Sequence, residues 1–149
     1  MSDWDELERI LTKEEPWEGA LRWALASTGT VSGTLHLLAE DGDLALAAQV
    51  GVPPQVLPAI QRVPIGKGIA GQAAERRAPV SLCNLQTDDS GVAQPGARAT
   101  GLSGSVAVPL FDAEDRVRGV LGVGHPTPHE FSAEEVELLL EAGRRIAAR

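Results

Sequence analysis

The sequence predicts an α+β fold built on an antiparallel sheet. Three observations predict it. Alternating strands come in two pairs, each joined by a turn too short for a crossover, so both pairs are antiparallel. The elements read as two helices, two strands, two helices, a strand, a long loop, two strands and a helix, which is not the alternation of a doubly wound sheet. One long stretch, residues 84–103 (NLQTDDSGVAQPGARATGLS), carries almost no periodicity and reads as a loop over the sheet.

The elements follow in order. Ser2 or Asp3 can cap a first helix, with Trp4, Leu7 and Leu11 on one face. Pro16 reads as the first position of a second helix, whose stripe is Trp17, Ala20, Leu21, Ala24 and Leu25, and Gly29 is its stop. Trp4 and Trp17 read as core. Trp23 sits off the stripe and faces something else. SGTLHLLA (32–39) and LALAAQV (44–50) form a hairpin around Asp41-Gly42-Asp43. Pro53 and Pro54 open a short helix through Ile60, and a further helix spans about Ile69 to Arg76. Pro79 to Leu82 is a short strand. SVAVPLF (105–111) and RGVLGVG (118–124) form the second hairpin across DAEDR. Ser132 followed by Glu135 is a capping box for the last helix. On it Val136, Leu140, Gly143 and Ala147 share a face, and Leu138 points nearly the opposite way.

The bulk numbers set limits. The 149 residues fit one domain, with a leading helix over 1–15 and a core over about 17–149. The formal net charge of −8 is the wrong sign for replacing counterions on phosphates, so nucleic acid is excluded as a partner. No apolar run reaches membrane-spanning length, and no basic patch suits a membrane surface. The acidic N-terminus is not a signal peptide, and the one cysteine, Cys83, cannot form an intrachain disulfide; both suit a cytoplasmic protein.

Alternation sorts the strands onto two faces. Leu35, Leu37, Val106, Val108, Leu110, Leu121 and Val123 make one apolar face, which should pack on helices. Ser32, Thr34, His36, Ser105, Ala107, Gly122 and Gly124 make the other. Its residues are small or polar, and glycine in a strand often marks close approach by a ligand or backbone. With the 84–103 loop as a roof, this face reads as a small-molecule site. His36 is the titratable group in it. Cys83 ends a strand facing the loop, and Arg98, Thr100 and Ser103, with Asp88 and Asp89, can close over a bound molecule. Arg98 suits a carboxylate or phosphate.

Two motifs resist a catalytic reading. Gly66, Gly68 and Gly71 spell G-x-G-x-x-G, but no long parallel strand precedes them and no P-loop lysine follows. They serve a sharp turn into a helix, with Gly71 allowing close approach to the sheet. In GHPTPHE, Pro126 and Pro128 forbid the helix that would put His125 and His129 on one metal, so an exposed loop is expected there and no metal.

Four stretches carry a resemblance: LHLLAEDGDLALAAQVG, VPIGKGIAGQAAERRAPV running into Cys83-Asn84-Leu85, GSVAVPLFDAEDRVRGVLGV, and PHEFSAEEVELLLEAGRRIA. Together, from about residue 17 onward, they resemble a GAF domain, the small-molecule sensory module of signalling proteins. The resemblance implies a GAF/PAS-like sheet with the terminal helices on one face and the short helices and long loop over the other. It also implies a ligand pocket on that second face and dimerisation through the terminal helices, for which Trp23 and Leu138 are the candidate contacts.

Known activities of GAF-like proteins fit less well. The reductases of free methionine sulfoxide carry several pocket cysteines, and acidic residues where this chain has Ser105 and Gly124. The cyclic-nucleotide signature fails at Asn84-Leu85, and a bilin-type Cys-His pair is absent at Cys83-Asn84. The expectation is therefore a sensory module without a cofactor. It binds an unidentified small organic ligand through Thr34, His36, Cys83, Arg98, Thr100, Ser103, Ser105, Gly122 and Gly124. It signals as a homodimer, to a separate signalling protein or within a larger one. The alternatives are a small-substrate enzyme using Cys83 or His36, and a ligand-free interaction module.

Overall fold

Asp3 starts the first helix by accepting the Glu6 N–H at 3.0 Å, and α1 runs Trp4–Leu11 with Leu7 and Leu11 buried. The computed structural model describes residues 3–82 and 103–149. Helix α2 (Trp17–Thr28) ends at Gly29, whose φ of 66° is the left-handed cap that glycine adopts without a Cβ clash. The first hairpin is β1 (Ser32–Leu38) and β2 (Leu44–Val50). Then come α3 (Leu57–Ile60), β3 (Arg62–Val63), α4 (Gly68–Arg76) and β4 (Val80–Leu82). The second hairpin is β5 (Gly104–Phe111) and β6 (Val117–His125), followed by α5 (Ala133–Ala147). The capping box of α5 is complete: Glu135 N–H donates to Ser132 Oγ at 3.1 Å, and Ser132 N–H to Glu135 Oε1 at 2.9 Å.

Among the described residues the six strands pair in the order β3-β2-β1-β6-β5-β4, every pair antiparallel. The apolar face carries the main core. Leu35, Val106, Val108, Leu110, Leu121 and Val123 pack there with Leu7 of α1, Leu21 and Leu25 of α2, and Leu139 and Ile146 of α5. Each such side chain contributes roughly 1.5–3 kcal/mol by leaving water, so this layer dominates the fold. A smaller cluster sits on the opposite face, where Ala73 and Ala74 of α4 meet Leu44, Val80, Ala107 and Val120. The short helix α4 thus lies across the sheet from the terminal helices.

Two expectations are corrected, and one strand is added. The fully buried stripe of α5 is Leu139, Ala142, Gly143 and Ile146; Val136, Leu140 and Ala147 flank it. The helix is rotated because Gly143 approaches β5 so closely that a Cβ there would meet Leu110 Cδ2 at 2.8 Å. Trp23 is not a surface contact: it is 7% exposed, its Nε1–H donates to the Asp3 carbonyl at 2.8 Å, and its ring lies 5.0 Å from that of Trp4. Helix α1 covers it. Leu138, the other candidate contact, is half-buried and packs on the main core. Finally, β3 joins the sheet edge through pairs of Leu44 with Val63 and Ala45 with Arg62. A two-residue strand has no alternation to read.

The chain ends are fastened together. Arg145 pairs with Glu8 at 3.1 Å and lies 4.6 Å over the Trp4 ring. Arg149 lies over Trp17 and donates to the carbonyls of Leu11, Lys13 and Glu14, which closes the C-terminal end of α1.

Candidate functional site

The polar face is built by register. Ser32 of β1 stands opposite Gly124 of β6, and Gly124 stands opposite Ser105 of β5. In the next row on that face Thr34, Gly122 and Ala107 are aligned. The central strand therefore presents two glycines, Gly124 between the hydroxyls of Ser32 and Ser105 and Gly122 beside that of Thr34. Among the described residues a Cβ built on Gly122 would meet only Thr34 Oγ1 at 3.3 Å and the Val106 carbonyl at 3.8 Å, so these residues leave room above it. Thr34, Ser105 and Gly122 are half-buried, and Ser32 is 4% exposed. Ser103 is buried and holds the start of β5 to β6 by donating its N–H to the His125 carbonyl at 2.8 Å.

The face is not open along its whole length. Helix α4 covers Ala107 and Val120, so the small polar surface is confined to the end of the sheet holding Ser32, Thr34, Ser105, Gly122 and Gly124. His36 lies one row beyond, opposite Val120 and Leu46, at a bulge between Leu35 and His36. Its ring is 2% exposed, and Nε2 lies 2.9 Å from the Ile60 carbonyl. A carbonyl only accepts, so Nε2 carries the proton and Nδ1 offers a bare lone pair. That Nδ1 is buried without a partner among the described residues. Burial pushes the His36 pKa down, the Ile60 bond opposes this, and the imidazole is neutral at neutral pH. Among the described residues His36 bonds to no Ser, Thr or Asp, so no nucleophile and base are joined there.

Of the residues the sequence singled out, Thr34, Ser105, Gly122 and Gly124 are brought together, with Ser103 at the head of β5 and His36 at the margin. Cys83, Arg98, Thr100, Asp88 and Asp89 lie outside the described residues. Gln49 was missed. It pairs with Thr34 on the same face, but its Oε1 accepts the Val52 N–H at 3.2 Å and so holds the turn after β2. The hairpin register was the signal that could have found it.

The glycine loop is closed on itself. Gly66 N–H donates to the Gly71 carbonyl at 2.9 Å, Lys67 N–H to Pro64, and Gln72 Nε2 to Gly66. Two of the N–H groups a phosphate would need are therefore engaged. Gly66 and Gly68 take φ of 91° and 65°, as a sharp turn requires. Gly71 differs from expectation. Its close approach is to the preceding loop and not to the sheet: a Cβ would meet the Pro64 carbonyl at 2.5 Å.

The stretch after β6 is also a correction. His125 is not in a bland exposed loop. Its ring lies 4.3 Å from that of His129 and 5.7 Å from Phe131, and its Nε2 is buried without a partner among the described residues. His129 meets Phe131 edge-on and reaches Glu135 Oε1 at 3.2 Å. Burial and the neighbouring His129 push the His125 pKa down, against a smaller upward pull from Glu135. Desolvation pushes Glu135 up, but hydrogen bonds from Ser132 and His129 together hold it below the usual carboxylate range. Among the described residues no three His, Cys, Asp or Glu side chains are placed to hold a metal ion.

Comparison with known proteins agrees with this architecture. A family model described as GAF domain matches residues 17–148. No curated protein matches the chain. Among solved structures, the GAF domain of an Acinetobacter phosphoenolpyruvate-protein phosphotransferase has a TM-score of 0.76 at 20% identity, covering 99% of this chain and 92% of that one. Free methionine-R-sulfoxide reductase from Neisseria meningitidis, in complex with its substrate, has a TM-score of 0.76 at 19% identity, covering 95% and 81%. A GAF domain from A. aeolicus in an inactive state has a TM-score of 0.67 at 20% identity, covering 96% and 90%. At these identities the likeness establishes the fold.

Proposed function

Because the chain belongs to the GAF domain family, we propose that it is a sensory or regulatory module that holds a small organic ligand on the polar end of its sheet. The terminal helices on the other face report the bound state. One observation carries this: two glycines on the central strand, flanked by Ser32, Thr34 and Ser105, with space above Gly122 among the described residues. Hydroxyls both donate and accept, so this floor suits a polar, uncharged ligand edge. Cys83, Arg98, Thr100 and Ser103 complete the proposed wall by their position in the chain, and the bare Nδ1 of His36 is a hydrogen-bond acceptor at its margin. Self-association belongs to the same proposal through Leu138 and the outer side of α5, without Trp23. The chain shares a fold with a sulfoxide reductase, but no activity follows from that, since one fold hosts many sites.

Native mass spectrometry of the purified protein tests the proposal. A discrete added mass that disappears in Gly122→Val, with the fold retained, supports it. An added mass that survives Gly122→Val places any ligand elsewhere. If no mass is carried, a small-molecule thermal-shift screen follows, and hits insensitive to Gly122→Val would overturn the assignment.

A further inference from the structure

The tip of the β5–β6 hairpin touches both helix layers. Arg77, the C-cap of α4, donates from Nη2 to the Asp115 carbonyl. Arg144 of α5 donates to Asp115 Oδ1 at 3.2 Å. Both guanidinium groups also lie over the Phe111 ring, each 5.3 Å from its centroid. Two arginines from helices on opposite faces of the sheet thus share one aspartate and one aromatic ring.

The tip itself is stiff. Asp112 Oδ1 accepts the N–H groups of Glu114 and Arg116 at 2.9 Å each, and Asp112 Oδ2 accepts Arg116 Nε at 2.9 Å. Backbone bonds of 3.0 Å join Asp112 to Arg116 and Asp115 to Asp112. Arg77 and Asp115 have φ of 55° and 60°, the left-handed region that side chains other than glycine enter only when neighbours hold them. Arg77 is held as the helix cap by its N–H donating to the Ala73 carbonyl, and Asp115 by its N–H donating to the Asp112 carbonyl. Next to Arg144, Gly143 seats α5 against Leu110, the residue before Phe111.

We propose that this hairpin tip mechanically couples α4 to α5. A shift of α4 on the polar face is passed around the end of the sheet by Arg77 to Asp115 and Phe111, and from them to Arg144. Its use as a signal relay rests on the function proposed above. The coupling itself needs no ligand and is tested without one.

Amide hydrogen exchange read by mass spectrometry is the test, on the intact chain and on Arg77→Ala, Arg144→Ala and the double variant. Arg77 and Arg144 are exposed, so their loss leaves the core untouched. Arg77→Ala should speed exchange in α5 about two- to fivefold, the size expected of exposed guanidinium contacts. Coupling is reciprocal, so Arg144→Ala should speed exchange in α4. The double variant should exceed the larger single effect by little. Arg77→Lys keeps the charge but not the planar fork, and should resemble Arg77→Ala. Effects confined to each substituted helix, adding independently in the double variant, would overturn the proposal. Coupling in a protein that binds no small molecule would leave the coupler standing and remove the ligand.

Discussion

Replacing Gly71 with alanine separates a structural glycine from a permissive one. On helix propensity alone the change should stabilise by about 1 kcal/mol, because Gly71 lies inside α4. The surroundings forbid it. The added methyl would stand 2.5 Å from the Pro64 carbonyl and 3.1 Å from Gly66 N, both backbone atoms that cannot rotate away. Relieving that contact moves the 64–66 loop and weakens the bond of Gly66 N–H to the Gly71 carbonyl, worth about 1 kcal/mol net. Overpacking adds about 1–3 kcal/mol. The net loss is about 1–3 kcal/mol, or a fall in Tm of roughly 3–10 °C for a chain of this length. Urea unfolding followed by far-UV circular dichroism measures it. Gly122→Ala is the control: among the described residues its methyl meets only Thr34 Oγ1 at 3.3 Å and the Val106 carbonyl at 3.8 Å, so stability should hold or rise slightly. A Gly71→Ala protein as stable as the parent would refute the account of the loop. So would stabilisation of the parent by pyrophosphate that depends on this loop.

Trp23→Phe keeps an aromatic ring against Trp4 and removes the bond to the Asp3 carbonyl; a loss of about 1 kcal/mol with oligomeric mass unchanged is expected, and a change in mass would return Trp23 to an interface. Folded His36 and His125 bind protons less readily than in the unfolded chain, so their stabilisation is complete above a pH of about 6.5 and is lost as pH falls toward their lower folded values. Glu135, held below the usual range, adds a further loss in the same direction below about pH 4.3. His36→Gln should flatten the slope below about pH 6.5 in urea midpoints measured against pH, and an unchanged slope would assign the proton uptake elsewhere.

What could be read in advance was local. The Gly29 stop, the Ser132–Glu135 box and both hairpins depend on residues within a few positions of one another. Strand parity then separated the core face from the polar face without help from tertiary structure. What could not be read depends on partners far along the chain. Trp23 looked unpartnered on α2 because its cover comes from α1, through Asp3 and Trp4. The α5 stripe was displaced because several apolar residues surround that helix, and Gly143 against Leu110 selects the buried side. Parity placed His36 on the polar face, but it could not show that the Ile60 carbonyl, 24 residues later, engages its Nε2. Pro126 and Pro128 rightly excluded a helix, yet nothing in GHPTPHE announced that the segment folds back onto Phe131.

The helix layer also contains its own spectroscopic reporter. The chain has three tryptophans and no tyrosine. Trp4 and Trp23 are neighbours at 5.0 Å, Trp4 lies under Arg145, and Trp17 lies under Arg149. All three belong to α1 and α2, across the sheet from Ser32, Thr34, Ser105 and the two strand glycines. A compound bound on the polar face touches no indole. A change in intrinsic emission on adding such a compound therefore records rearrangement of the terminal helices, and the unlabelled protein suffices to time how fast that rearrangement follows binding.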